Sequence, residues 1–144
     1  MPYKKPNTRM AKKRKPPSLP SLKKKLDRIY SRYVRYSAVD SAGKVSCFTC
    51  EYRGDPKKMH AGHWIPRQHM AVRWESWNVH PQCYACNMHY GGRPQEYRER
   101  LVEIYGEVRT AEFAMRRHEI RQWTRDELGG LISNYEKKLK ELEE

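Results

Sequence analysis

Apolar residues recur at helical spacing early in the chain. Leu22, Leu26, Ile29, Tyr30, Tyr33 and Val34 share one face of a helix predicted over 21–37. Lys23, Lys24, Lys25, Arg28, Arg32 and Arg35 occupy the other face. Asp40-Ser41-Ala42-Gly43-Lys44 reads as a turn. Val45 to Cys50 leads into a first Cys-x-x-Cys knuckle, and residues 51–59, with Gly54, Asp55 and Pro56, form a loop. Met59 to Pro66 is expected to be a short strand, with Ala71 to Trp74 as its partner. A loop carrying Asn78 follows, then a helix that begins near Cys83 and ends at Gly91-Gly92. Pro94 and Gly106 bracket the next helix, whose apolar stripe is Tyr97, Leu101, Ile104 and Tyr105. Thr110 to Gln122 reads as another helix. Thr124 and Glu127 form a capping box that opens the last one. There Leu128, Ile132, Tyr135, Leu139 and Leu142 alternate four- and three-residue steps, as in a short heptad seam.

This pattern predicts an α+β, mostly helical protein in three parts. Residues 1–20 form a basic, proline-rich arm without enough apolar surface to fold alone. Residues 21–92 hold the first helix and both Cys-x-x-Cys pairs, and residues 93–144 are helical. Hydrophobic residues make up only 38% of the chain, against 33% charged, so the core is thin for the length. The seam over 125–143 is therefore expected to meet a second copy as a homodimer rather than pack on its own chain.

Charge then narrows the partner. Thirty Lys and Arg against 17 Asp and Glu leave a net charge of +13, which favours a polyanion such as nucleic acid. Lys12, Lys13, Arg14 and Lys15 in the arm would displace counterions from phosphates, and Lys23, Lys24, Lys25 and Arg28 would face the same partner. No long apolar run suggests a membrane span, and the basic N-terminus lacks the apolar core of a secretory signal. A cytoplasmic protein is expected.

The four cysteines fall into two pairs, Cys47/Cys50 and Cys83/Cys86, with none left over. In a reducing compartment such pairs bind a metal rather than form disulfides, and two of them complete the tetrahedral Cys₄ set that Zn²⁺ prefers. The zinc is structural: the stretch from Cys47 to Tyr90 cannot supply a sufficient core of its own.

Around this staple stand His63 near the end of the predicted strand, Asn78 five residues before Cys83, and Asn87 directly after Cys86. This order resembles that of the HNH or ββα-metal nucleases, with an N-(L/V)-x-x-x-C-x-x-C-N string and His63-Trp64-Ile65-Pro66 in place of their H-x-x-P segment. Ala61-Gly62-His63-Trp64-Ile65, Arg73, Asn78-Val79-His80, Gln82-Cys83, Cys86-Asn87 and Gly91-Gly92 together resemble the phage NinG (Rap) family over about residues 20–106. That resemblance implies a small zinc-stapled, HNH-like ββα-metal core flanked by a basic N-terminal helix and C-terminal helices. It also implies a structure-specific endonuclease of phage recombination that acts on branched DNA such as Holliday junctions and D-loops, alongside other phage or host recombination proteins.

Phosphodiester hydrolysis needs an activated water, a polarised phosphate and cations for the developing charge. His63 is the candidate general base. Asn87 would offer an oxygen to Mg²⁺ or Mn²⁺, and Asn78 would pin the loop and orient His63. Arg67 and Arg73 could clamp the phosphate. HNH enzymes usually carry an Asp or His metal ligand directly before the general base, whereas this chain has Gly62. His60 and His80 are candidates for the second ligand, with Glu75 and Glu96 behind them. His69, His89 and His118 read as structural, and Trp64, Trp74 and Trp77 as core. Two other functions fit the same composition: a non-catalytic zinc-dependent DNA-binding recombination adaptor, which has no need of the His63/Asn78/Asn87 set, and an HNH nuclease acting on linear duplex DNA.

Overall fold

A computed structural model describes residues 1–6 and 15–143. Lys12, Lys13 and Arg14 of the basic arm lie outside the described residues. Helix α1 runs Leu19–Tyr36 and begins two residues earlier than the periodicity predicts, because Ser18 caps it: its Oγ accepts from the Ser21 N–H at 3.2 Å. Four short strands follow: β1 (Val45–Ser46), β2 (Arg53–Gly54), β3 (His60–His63) and β4 (Val79–Gln82). They form two antiparallel hairpins, β1 with β2 and β3 with β4. A π-helical turn over Ala85–His89 precedes α2 (Pro94–Tyr105), α3 (Glu107–Met115), a 3₁₀ turn (Arg116–His118) and α4 (Arg125–Glu143). The chain is thus α+β and about half helical, with only two-stranded sheets.

Besides the short strand β2, which lies inside the expected loop 51–59, two larger features differ from expectation. The partner of β3 is not Ala71–Trp74 but β4, in the register His60–Gln82, Ala61–Pro81, Gly62–His80 and His63–Val79. Pro81 argues against a paired strand in the sequence because it has no N–H to donate. The fold tolerates it, since its carbonyl faces β1 and accepts from the Phe48 N–H at 2.8 Å. Residues 64–78 instead fold back as successive turns. The second difference is the helix expected over Thr110–Gln122, which starts at Glu107 and ends at Met115. Gly106, at φ 87°, closes α2 and opens α3. Beyond the 3₁₀ turn the chain extends, so that Trp123 reaches back to donate from Nε1 to the Met70 carbonyl at 3.0 Å and packs edge-on to Trp74.

The capping box that opens α4 forms as read: Thr124 N–H donates to Glu127 Oε1 at 3.1 Å and Glu127 N–H to Thr124 Oγ1 at 3.2 Å. The seam beyond it is a correction. Leu128, Ile132, Tyr135 and Leu139 join Leu22, Leu26, Ile29 and Tyr30 of α1 in one hydrophobic cluster, with Trp74 and Val79 beneath. The Tyr135 ring stands edge-on to Tyr30 at 4.9 Å. The two long amphipathic helices bury each other's stripes, so the homodimer expectation loses the surface on which it rested. Trp74 and Trp77 are buried, as expected of core residues. Trp64 packs against a second cluster of Ile65, Ala71, Val72 and Trp77, on which Phe113 of α3 stacks. No described helix is long and apolar enough to cross a membrane.

Candidate metal centre and histidine cleft

The two knuckles meet at the end of the β3–β4 hairpin. One Sγ from each of Cys47, Cys50, Cys83 and Cys86 lies within 4.8 Å of the others, and the Cys50 and Cys83 sulfurs are 3.7 Å apart. A Zn–S bond of ~2.3 Å places tetrahedral sulfurs roughly 3.8 Å apart, so the cage matches zinc. Backbone N–H groups point at the sulfurs: Cys83 N to Cys47 Sγ across the two knuckles (3.3 Å), and locally Tyr52 N to Cys50 Sγ (3.4 Å) and Cys86 N to Cys83 Sγ (3.5 Å). Burial raises the Cys83 thiol and pushes Cys50 up to about 12. At Cys47 burial is outweighed by donors from Cys83 and Thr49, which draw its thiol down to about 7. A dication bound at the centre would supply the charge that lets all four ionise. Four thiolates and one dication would still leave two negative charges, and Arg93 stands where it would face them, donating from Nε to Cys86 Sγ at 3.2 Å. Arg93 holds a left-handed backbone (φ 47°), and its guanidinium also lies over the Tyr90 ring at 4.1 Å.

Gln82 braces the cage from β4. Its Nε2 donates to Thr49 Oγ1 and to the Gly92 carbonyl, both at 2.9 Å, and so ties one knuckle to the end of the other. Its Oε1 fills the space that a side chain at position 62 would need, 1.8 Å from where a Cβ would sit. Gly62 therefore has a steric reason: a side chain at position 62 would have to displace Gln82, and with it the brace between the knuckles.

On the far side of β3 lies a cleft of about 850 Å³ that brings His63, His60, Asn87 and Arg67 together with Asp27 of α1. His63 donates from Nε2 to the Arg73 carbonyl at 2.9 Å. A carbonyl can only accept, so the neutral ring carries its proton on Nε2 and leaves the Nδ1 lone pair free. Burial lowers the His63 pKa from the ordinary imidazole value, while the Arg73 carbonyl and the Asp27 charge pull the other way. Asn87 Nδ2 donates to His60 Nδ1 at 3.0 Å, which leaves the amide oxygen for a cation. Arg35, Lys57, Lys58 and Arg67 also line the cleft, and Asp27 is the one acid among the described residues that do so.

Asn78 lies beneath this wall, fully buried. Its Oδ1 accepts from the Ile65 N–H at 2.7 Å, and its Nδ2 donates to the Ile65 and Val72 carbonyls, each at 3.0 Å. One side chain thus closes the 64–78 turns, which carry the Arg73 carbonyl that His63 grips. His80 is not part of the cleft. It stacks on Phe48 at 3.9 Å and bonds the Tyr97 hydroxyl through Nδ1 at 2.9 Å. Tyr97 spends its one proton on the Gly62 carbonyl at 2.8 Å, so His80 is the donor. Burial, then the Arg100 charge, lowers the His80 pKa to about 4. Glu75 and Glu96 pair with Arg116 and Arg93 instead.

Arg73 also departs from expectation. It does not project as a phosphate clamp but forms a two-pronged ion pair with Asp27, with Nε on Oδ1 at 3.0 Å. Its side chain is only 16% exposed, whereas that of Arg67 is 64% exposed and open to a ligand. Lys24 and Arg67 share a shallow depression beside the cleft, while Lys25 lies 3.8 Å from Glu136. Lys15, Lys24 and Arg28 are exposed, and Lys23 is half-buried. Asp27, Lys57 and Lys58 went unread in the sequence, and Arg35 was read only as part of the basic face of α1. The i, i+4 spacing of Asp27 and Ser31 on the helix face that carries Arg35 was the one available signal for Asp27.

These features define a cysteine-stapled α+β protein whose cationic cleft holds paired histidine and asparagine side chains. A family model described as the bacteriophage lambda NinG protein matches residues 3–144, and the chain belongs to that NinG family. Protein ninG of Salmonella phage P22 is 34% identical over 71 residues, 49% of this chain and 34% of that protein. Protein ninG of Escherichia phage lambda is 32% identical over 71 residues, with the same coverage. The matched stretch thus takes in about a third of each relative's length. No solved structure matches the chain.

Proposed function

We propose that this protein is a structure-specific endonuclease of phage recombination that cleaves branched DNA, including Holliday junctions and D-loops, by metal-dependent hydrolysis of the phosphodiester bond. The observation that carries the reading is the state of His63. Its Nε2–H is committed to a backbone carbonyl, burial keeps the ring neutral, and its free Nδ1 shares a cationic cleft with Asn87 and His60. A structural histidine does not need this arrangement; a general base does.

His63 takes the proton of the attacking water on Nδ1. Asn87, held by His60, would offer an amide oxygen to Mg²⁺ or Mn²⁺, with the DNA phosphate and water supplying the remaining ligands. A bound cation would polarise the phosphate and stabilise the leaving oxygen. Lys57, Lys58 and Arg67 hold the flanking phosphates, Arg35 braces the lysine loop through the Pro56 carbonyl at 2.8 Å, and the lysine face of α1 extends that track. Asn78 keeps the wall in register. The zinc centre supports the hairpin without touching the phosphate. The preference for branched DNA follows from the NinG resemblance. A homodimer would address both scissile strands of a junction, through a surface other than the α4 seam.

The test is cleavage of a labelled four-way junction, a D-loop and a linear duplex, with and without Mg²⁺ or Mn²⁺. The wild type should nick the branched substrates only with the cation. His63→Ala should slow cleavage by about 10²–10⁴-fold with unchanged binding. Binding without cleavage by the wild type would favour the adaptor reading, and equal cleavage of the linear duplex the general HNH reading.

A further inference from the structure

We infer that Asp27 is a positioning residue for His63, and that α1 therefore sets the protonation geometry of the cleft as well as its charge. The inference rests on the proposed nuclease reading for its catalytic consequence, but its structural content stands apart. Asp27 lies in the middle of the basic face of α1, where an acid works against polyanion binding. Its carboxylate is nevertheless fully used. Oδ1 accepts from Arg73 Nε and from Trp74 Nε1, both at 3.0 Å, and Oδ2 pairs with the Arg73 guanidinium. Arg67 approaches Oδ2 at 3.7 Å. Two consecutive residues of the 64–78 turns are thus anchored to α1 through one side chain that is only 17% exposed.

The backbone carbonyl of Arg73, between those two anchored side chains, is the acceptor of the His63 Nε2–H. No other contact among the described residues fixes the tautomer of that ring. The path is short: α1 to Asp27, Asp27 to Arg73 and Trp74, the Arg73 carbonyl to His63. Partners of this kind orient a working imidazole, and their loss typically costs 10–100-fold in activity. The charged groups around His63 are Asp27 from α1, Arg67 and Arg73 from the turns, and Lys57, Lys58 and Arg35 along the cleft. Only Asp27 among them is acidic, so its removal takes away both the anchor and the one negative charge that acts on the ring.

The test uses the full zinc-loaded chain with ¹⁵N-labelled histidine. In the wild type the His63 ring should give the nitrogen shifts of a single Nε2–H tautomer. Asp27→Asn keeps the size and one acceptor oxygen but loses the ion pair. It should retain bound zinc and fold while the His63 signals move to a tautomer mixture, and on a branched DNA the kcat should fall 10–100-fold with little change in KM. Asp27→Glu should restore part of both readouts. A purely structural role would lower Tm and leave the tautomer and the kcat of the folded protein intact, and that result overturns the inference. If Asp27→Asn fails to fold, Arg73→Lys, which keeps a cation but loses the two-pronged pair, gives the same two readouts. If the wild type cleaves nothing, the proposed function falls, and the imidazole spectrum still decides this inference.

Discussion

The sulfur cage and the histidine cleft share the β3–β4 hairpin, yet they are assembled by opposite means. Each cage ligand comes from a knuckle of four residues; the Tyr52 and Cys86 N–H groups point at sulfurs two or three residues away, and the Cys83 N–H reaches across to the Cys47 sulfur of the other knuckle. The cleft draws one wall from α1, another from β3, a third from the 64–78 turns and a fourth from the π-helical turn. It is held by side chains that act far along the chain: Asn78 on Ile65 and Val72, and Asp27 on Arg73 and Trp74. A metal cage can be specified locally because the ion supplies most of the binding free energy. A reactive cleft needs empty space, and empty space must be propped from a distance.

The largest expected effect breaks the cage. Cys83→Ser should lose the zinc and with it about 10 kcal/mol of folding free energy, which unfolds the hairpins and the cleft together. Zinc content and a circular dichroism melt check this; a folded, zinc-free Cys83→Ser protein would show that the cleft does not depend on the cage. Next is Asn78→Ala, which strands one N–H and two carbonyls in the interior. A loss of about 3 kcal/mol in denaturant unfolding is expected, with zinc retained. Zinc loss in this variant would mean that the two regions are one cooperative unit.

Acid gives the smallest effect. His80 is neutral when folded, with a pKa near 4 against about 6.5 when unfolded. The unfolded chain therefore binds more protons between these values, and stability is present above pH 6.5 and lost as pH falls toward 4. About 2 kcal/mol should disappear between pH 8 and pH 5, measured while bound zinc is still stoichiometric. His63 is lowered as well and adds to the same slope. His80→Gln should flatten the dependence; an unchanged slope would place the acid-sensitive group elsewhere.

Much of this was legible before the structure. The two Cys-x-x-Cys pairs, the bracket of Pro94 and Gly106 around α2, and the Thr124–Glu127 box are short-range patterns whose geometry follows from spacing alone. His63 and Asn87 of the motif line one cleft with His60, which was weighed only as one of several second-ligand candidates, and Asn78 closes the 64–78 turns through its hydrogen bonds to Ile65 and Val72. Four of the five seam residues on α4 pack on α1 while Leu142 stays exposed, because a stripe of Leu128, Ile132, Tyr135 and Leu139 says that a helix must be covered but not by what. Arg73 was misread for the same reason: a surface arginine and an arginine gripped by a carboxylate from another helix look alike in one dimension.

The sequence by itself determined each cysteine knuckle, the ends of most helices and several of the groups that line the cleft, since knuckles and caps are written in residues a few positions apart and the histidines and asparagines stand in a recognisable order. Tertiary structure decided the pairing of β3 with β4 despite Pro81, the closure of α1 on α4, and the capture of Arg73 by Asp27, which in turn aims His63. Those contacts join segments distant along the chain, where the gain from burial and hydrogen bonding must exceed the entropy of closing a long loop. No local pattern reports that balance.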